Sequence, residues 1–390
     1  MKTVQEARQI VGEHASPLGG ILQPVATAAG YVLSAPVYSP VSVPGFPQSS
    51  MDGYALRVQD RGLVLPVQDE LPAGSTRQVQ LIAQQAIRVF TGGPVPEGAD
   101  AIVQKEWVVI TNEGIRIQEP ERVVAGTHIR MPGADIQAGD MALAEGTLLQ
   151  AYMVSYLSGL GLTHVEVYSR PKVSLVITGN ELVQPGHPLQ YGQVYESNSY
   201  GLTAALYQAG IEQVQQWRAE DTLAATEQAI AAALKQTDVL LLTGGVSVGE
   251  YDYVVQACLN QGVELLFHGV KQRPGKPLFF GKKGRQLVFG LPGNPASVLS
   301  CYQQYVLPAL HQITGRKTPT PQMAKLAHAY EKKGSLTVFL KGHYDAGVVT
   351  VLPAQASFQL SAFAMANCWI ELDESVDCFA ALQLVPVHLF

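Results

Sequence analysis

The chain has 390 residues, a net charge of -6 and only 15% charged side chains, against 47% hydrophobic ones. That length exceeds what one hydrophobic core usually serves, so several domains are expected. The sparse charge implies large buried surfaces, and the absence of a basic block argues against nucleic acid as a partner.

In chain order, residues 3–14 predict an amphipathic helix with Val4, Ala7, Ile10 and Val11 on one face. Pro24, Pro36, Pro40, Pro44 and Pro47 exclude a long helix over 24–48 and predict extended chain. Residues 50–130 are short alternating runs broken by glycine and proline, the pattern of a small β-rich domain. Residues 141–163 return to apolar, helix-like sequence. This helix and the first are expected to pack together, with the β-rich segment inserted between them.

From Pro171 the pattern becomes regular α/β. Strands are predicted at VSLVI (173–177), VQQWRA (214–219), DVLLLT (238–243) and VELLFHGV (263–270). Helices are predicted over 199–209, 222–236 (capped by Asp221 or Thr222), 251–262 and from Asn294-Pro295 through Leu310. A hairpin turns at Lys283-Gly284. Such alternation predicts a mostly parallel sheet with helices on both faces and a ligand beyond the carboxyl ends of its strands. Thr178-Gly179 and Thr243-Gly244 both follow strand ends and so belong on one edge. After a linker at 318–321 the tail is alternating and turn-rich, helical only near 361–366, which predicts a small β-barrel or sandwich.

Cys258, Cys301, Cys368 and Cys378 form no C-x-x-C pair and are expected to be buried thiols of a reducing compartment. The nine histidines show no zinc-site spacing. The N-terminus has no apolar h-region, and no apolar run reaches the roughly 18–20 residues of a membrane span. A cytoplasmic location without membrane association is the expectation.

The most informative stretch is 239–295, where two glycine-rich turns and a lysine turn separate strand-like runs. Glycine lacks the Cβ that would block close approach of backbone N–H groups to an anion. Glu250 and Asp252 follow the first turn. Acids beside phosphate-cradling turns suggest a divalent cation between them, because bare carboxylates repel phosphate.

The motifs SSMDGYAL (49–56), FTGGPVPEGADAIVQKE (90–106), ITGNEL (177–182), ESNSYGL (196–202), EDT (220–222), LTGGVSVGEYDYV (242–254), RPGKP (273–277) and LPGNPASV (291–298) resemble those of the molybdopterin molybdenumtransferase family, which includes the E domain of gephyrin. They occur in the family's order, and a weaker match over 356–374 extends the resemblance into the tail. The resemblance implies four domains. These are a discontinuous helix/strand domain (1–43 and 131–168), a β-rich inserted domain (44–130), an α/β molybdopterin-binding domain (169–316) and a C-terminal β-barrel (317–390). It further implies a transferase that inserts molybdate into the dithiolene of adenylylated molybdopterin with release of AMP, using Mg²⁺. The implied assembly is an elongated homodimer whose active cleft is shared between subunits. Molybdopterin adenylyltransferase and cofactor-accepting molybdoenzymes are the implied partners.

Carried onto this chain, the resemblance makes Asp252, Glu181, Asp221 and Asp52 the catalytic candidates, with Asp252 and Glu181 as Mg²⁺ ligands. Thr91 and Asp52 would face the substrate from the partner subunit, although Asp52-Gly53 is also an ordinary turn dipeptide. Thr178, Gly244, Gly245, Ser247 and Gly249 would open the strand-end loops to phosphate. Glu250 reads first as a solvated helix residue, and Asp221 equally as a helix cap. Lys276, aimed by a Pro-Gly turn, is a point charge for molybdate or phosphate. Ser297 adds a donor in a first helical turn. Lys341, Ser357 and Ser361 are the tail's candidate donors. The chain departs from the family where it has Asn180 for aspartate, Arg273 for lysine, Lys341 for arginine, and Ala356 and Cys368 for glycine. Those departures motivate an alternative, a non-catalytic molybdopterin-binding or scaffold paralogue. A molybdopterin adenylyltransferase ranks third, because that single-domain family lacks the SMDGYA and TGGPVPEGAD segments.

Overall fold

A computed structural model describes residues 1–246 and 253–390. They form two compact units, one of Met1–Ile21, Gly30–Ser34 and Glu166–Phe390, the other of Leu22–Ala29 and Ala35–Val165.

The second unit is β-rich. Its four-stranded sheet runs in the order Val67–Leu71, Ala86–Val89, Gly53–Leu56, Ala101–Gln104. Strand Gly53–Leu56 is buried throughout. Tyr54 and Leu56 enter one core and Ala55 another, as a two-residue side-chain period requires. A Cβ on Gly53 would sit 2.0 Å from the Val103 carbonyl oxygen, so only glycine lets this strand pair there. Strands Val64–Leu65, Gly114–Ile117 and Val108–Thr111 form a second, antiparallel sheet. Of the expected helix over 141–163 only Ala151–Gly159 is α-helical, and Met141–Leu143 is a strand. Gly146, at φ 78°, turns the chain between them.

In the first unit, a six-stranded sheet runs in the order Val214–Ala219, Val173–Thr178, Val239–Thr243, Gln286–Leu291, Phe279–Lys283, Glu264–His268. The first four strands are mutually parallel and the last two antiparallel. The inner strands Val173–Thr178 and Val239–Thr243 are buried along their whole length, which their continuous apolar runs predict for strands covered on both faces.

Helix Val4–His14 starts at a capping box between Thr3 and Glu6. Its apolar face, Val4, Ala7 and Val11, joins the core of this sheet and of the helical segment ending at Ile313. The apolar stripe expected to meet the helix near 151–159 is thus taken up by the α/β core of its own unit.

The helix opened by Pro295 runs to Cys301, continues as a π turn over Tyr302–Val306 and resumes as Leu307–Ile313. Pro308 has no N–H for a regular helical bond, and the π turn before it accommodates that loss.

The tail closes into a five-stranded barrel. Thr337–Asp345 pairs with Val348–Val351, then Gln322–Leu326, Leu384–Leu389 and Cys368–Leu372 follow, and the last pairs back onto the first. The short strand Gln272–Arg273 adds to it in parallel at Thr337–Val338. Cys258, Cys301 and Cys368 are buried, and burial pushes their thiols up to about 12, 12 and 11. Cys378 is exposed, contrary to expectation, in the short outer strand Cys378–Phe379. Among the described residues no helix is long and apolar enough to cross a membrane.

Candidate active site

Strands Val173–Thr178, Val239–Thr243 and Gln286–Leu291 lie side by side in parallel, so the turns that follow them share one edge. Those turns open on a cavity of 1220 Å³ within the first unit. The strand ends are tied together: Thr178 Oγ1 donates to the Thr243 carbonyl at 3.3 Å, and Gly244 N–H donates to the Leu291 carbonyl at 3.2 Å. Gly244 and Gly245 have φ of 86° and 60°. A Cβ on Gly244 would lie 2.9 Å from both oxygens of Thr178, so conformation and space both require glycine. Thr178, Gly244 and Gly245 all line the cavity.

Two of the expected acids reach the same cavity, Glu181 exposed and Asp221 half-buried. The helix Leu223–Leu234 is capped by Thr222, whose Oγ1 accepts from the Ala225 N–H at 3.2 Å. Asp221 is thereby released from capping. Its Oδ2 accepts from the Asn180 N–H at 3.0 Å, and its own N–H donates to Asn180 Oδ1 at 3.3 Å. Asn180 thus joins the turn after one strand to the turn after its neighbour. The expected residues Ser247, Gly249, Glu250 and Asp252 lie outside the described residues.

The cationic wall is the turn Arg273–Lys276. Both cations are exposed and line the cavity. The turn is held from beneath by Gln272, fully buried, whose Nε2 donates to the carbonyls of Pro274 at 3.1 Å and Gly275 at 3.2 Å. Ser297 lines the cavity from the first turn of the helix after Asn294. Asn198 donates to the Gly293 carbonyl at 2.8 Å and fixes the turn before it. Asn294 sits at the N-cap position, but its Nδ2 donates to Ser357 Oγ at 3.0 Å instead of capping.

In the tail, Ser357 lines the cavity, while Ser361 is exposed at the start of a 3-10 turn and is not part of the lining. Lys341 is not part of it either. It is 1% exposed, and its ammonium donates to the carbonyls of Ala354, Ala356 and Gln359. Burial holds its pKa below the usual lysine range.

Asp52 and Thr91 meet in the second unit. Asp52 Oδ1 accepts from both the N–H and the hydroxyl of Thr91 at 2.9 Å, and Lys105 Nζ lies 3.8 Å from Oδ2. The Thr91 bonds, with a smaller contribution from Lys105, hold this exposed carboxyl below its ordinary pKa.

Gln272, Asn198 and Gln355 were not anticipated. Each is an uncharged amide whose work is done on backbone carbonyls, and the only signal was position, Asn198 inside the ESNSYGL motif and Gln272 and Gln355 next to recognised ones.

Residues 2–161 match the family model of the MoeA N-terminal region (domain I and II), and residues 174–312 match that of a probable molybdopterin binding domain. The chain is 34% identical over 374 residues to a molybdopterin molybdenumtransferase of Haemophilus influenzae, covering 93% of this chain and 92% of that one. It is 33% identical over 392 residues to molybdopterin molybdenumtransferase 2 of Mycobacterium tuberculosis, covering 96% of each. The crystal structure of a molybdopterin biosynthesis MoeA protein from Pyrococcus horikoshii matches with a TM-score of 0.86 at 28% identity, over 99% of this chain and 98% of that one. The chain belongs to the molybdopterin molybdenumtransferase (MoeA) family.

Proposed function

We propose that this protein transfers molybdate to the dithiolene of adenylylated molybdopterin, forming molybdenum cofactor and releasing AMP. One convergence carries the reading. Glu181, Asp221, Gly244, Lys276 and Ser297 meet on a single cavity at the carboxyl ends of parallel strands. The substrates are a pyrophosphate-linked pterin and an oxyanion, which together need cations, hydroxyl donors and close backbone approach. Lys276 and Arg273 would draw the oxyanions in, Ser297 and Ser357 would orient them, and the Gly244-Gly245 turn would leave room for the phosphates.

Among the described residues no group of three or more His, Cys, Asp or Glu side chains is placed to hold a metal ion. Mg²⁺ is satisfied by one or two carboxylates plus substrate oxygens, so the pair Glu181 and Asp221 fits it, with Asp252 a third candidate outside the described residues. When bound, the cation supplies charge neutralisation at the phosphoanhydride. The reading carries with it a homodimer in which the partner's Asp52 and the partner's Thr91 complete the cleft. Their preformed, ionised and exposed arrangement supports that role.

The test incubates purified protein with adenylylated molybdopterin, Mg²⁺ and molybdate. AMP release and reconstitution of a cofactor-free molybdoenzyme are expected. Pterin binding by calorimetry without AMP release would instead establish the scaffold reading, which the burial of Lys341 favours. ATP consumption with non-adenylylated pterin would establish the adenylyltransferase.

A further inference from the structure

Lys341 lies in barrel strand Thr337–Asp345 with its side chain pointing into a loop. Its Nζ is 2.5 Å from the Ala354 carbonyl oxygen, 2.8 Å from that of Gln359 and 3.3 Å from that of Ala356. An ammonium has three donors, and here three carbonyls receive them. Among the described residues no carboxylate forms an ion pair with it, and the ring of Phe363 lies 5.6 Å away. A buried charge without a counter-ion is costly unless fixed dipoles replace its water. The loop conformation supplies those dipoles, and the ammonium in turn gathers backbone oxygens that would otherwise repel one another.

A second clamp acts on the same loop. Gln355 Oε1 accepts from the Lys341 N–H at 2.9 Å, while its Nε2 donates to the carbonyls of Lys341 at 2.8 Å and Leu352 at 2.7 Å. Gln359 Oε1 accepts from the Ala356 N–H at 3.0 Å. The loop so fixed presents Ser357 to the cavity. There the Ser357 carbonyl accepts from the Ala296 N–H at 3.1 Å, and its hydroxyl accepts from Asn294. Barrel and α/β sheet thus meet at Ser357, one residue from the cavity serine Ser297 along the Asn294–Ser297 turn.

We propose that Lys341 is a positioning residue for the oxyanion end of the cavity, acting through the loop 354–359 and Ser357 and never touching substrate. This rests on the reading of the cavity as the transferase site. It replaces the expectation that Lys341 contacts molybdate.

Two readouts separate the possibilities. Hydrogen exchange of amides 354–359 needs no substrate. Lys341→Met should raise it at least about 10-fold there while the rest of the barrel is unchanged. In AMP-release assays the same variant should raise the KM for molybdate about 10-fold with kcat within about threefold, and Ser357→Ala should cost little more in that background although it is costly alone. Unaltered exchange in Lys341→Met, or a KM effect fully additive with Ser357→Ala, overturns the proposal in favour of direct contact. If Lys341→Met does not fold, Gln355→Leu keeps the ammonium and removes the second clamp. The proposal expects the same loosened segment and raised KM, and a loosened loop with unchanged KM overturns it. If the wild-type protein releases no AMP, the transferase reading fails by itself, and the exchange experiment still decides whether the ammonium orders the loop.

Discussion

The hydroxyl of Tyr305 donates to Oε1 of Gln272, and both side chains are buried. This contact locks the amide so that its Nε2 faces the carbonyls of Pro274 and Gly275. Tyr305 belongs to the π turn, so an irregularity of that helix is coupled to the direction in which Lys276 leaves its turn. Gln272→Met keeps the volume but strands two carbonyls and a phenol. It should lower kcat/KM for AMP release about 10- to 100-fold, the effect of one to three kcal/mol. In a Lys276→Met background the same change should add almost nothing, and comparing the two single variants with the double variant checks this.

Gly275 sits at φ 89°, and a Cβ there would come 2.5 Å from Cys301 Sγ and 2.8 Å from Gln272 Nε2. Gly275→Ala therefore meets backbone strain and a wall of buried atoms together. A loss of about 2–4 kcal/mol in urea unfolding is expected, with the turn misplaced. Gly284, at φ 59° in the hairpin, has nothing within 4 Å of a built Cβ, so Gly284→Ala should cost only about 1 kcal/mol. Equal costs at the two sites would show that packing under the lysine turn is not what demands glycine.

Much of the first unit was legible because its inner strands are buried on both faces. VSLVI and VLLLT are apolar except for one small hydroxyl residue each, Ser174 and Thr243, so their type as buried strands follows from pattern. The strand-end turns Thr178-Gly179 and Thr243-Gly244, which line the cavity, were legible for the same reason, whereas Glu181 and Asp221 were candidates through the resemblance. Contacts made across long chain separations were not. Nothing local to Gln272–Arg273 says that it pairs with Thr337–Val338, and nothing local to Val4–His14 says which apolar surface it will meet. Lys341 was a candidate only through the resemblance, as a tail donor standing where the family has arginine. Its three carbonyl partners come from residues 13 to 18 positions further along the chain, so nothing local to VFLKG could name them.

Acid should destabilise the protein in two steps with different owners. Burial, with Arg316 nearby, pushes the His311 imidazole from 6.5 down to about 4. The unfolded chain therefore binds more protons between those values, and stability falls as pH drops from 6.5 toward 4. Burial works to raise Glu371, but hydrogen bonds from His388 and Arg8 overcome it and hold its carboxyl at about 2 instead of 4.5. That stabilisation, on the order of 3 kcal/mol, is complete above 4.5 and is lost as pH falls toward 2. Urea midpoints across pH 7 to 3 should show both losses. His311→Asn should flatten the first and leave the second. An unchanged slope between pH 6.5 and 4.5 in that variant would assign the first loss elsewhere.

The acids of the cavity make a prediction about metal. Glu181 and Asp221 are the described carboxylates on its lining, and Asp221 is already oriented by two bonds with Asn180. If they hold the cation against substrate oxygens, Glu181→Gln and Asp221→Asn should each raise the Mg²⁺ concentration for half-maximal AMP release about 10-fold or more. Chelation should stop the reaction in the wild-type protein, and added Mg²⁺ should restore it. Asn180→Asp tests the same geometry from the other side. A carboxylate at 180 can still accept from the Asp221 N–H, and it adds a negative charge beside the cation, so the Mg²⁺ requirement should fall. If Asn180→Asp instead raises the requirement, repulsion between the two carboxylates outweighs cation binding. The acidic pair would then be a structural link between turns and not a metal seat.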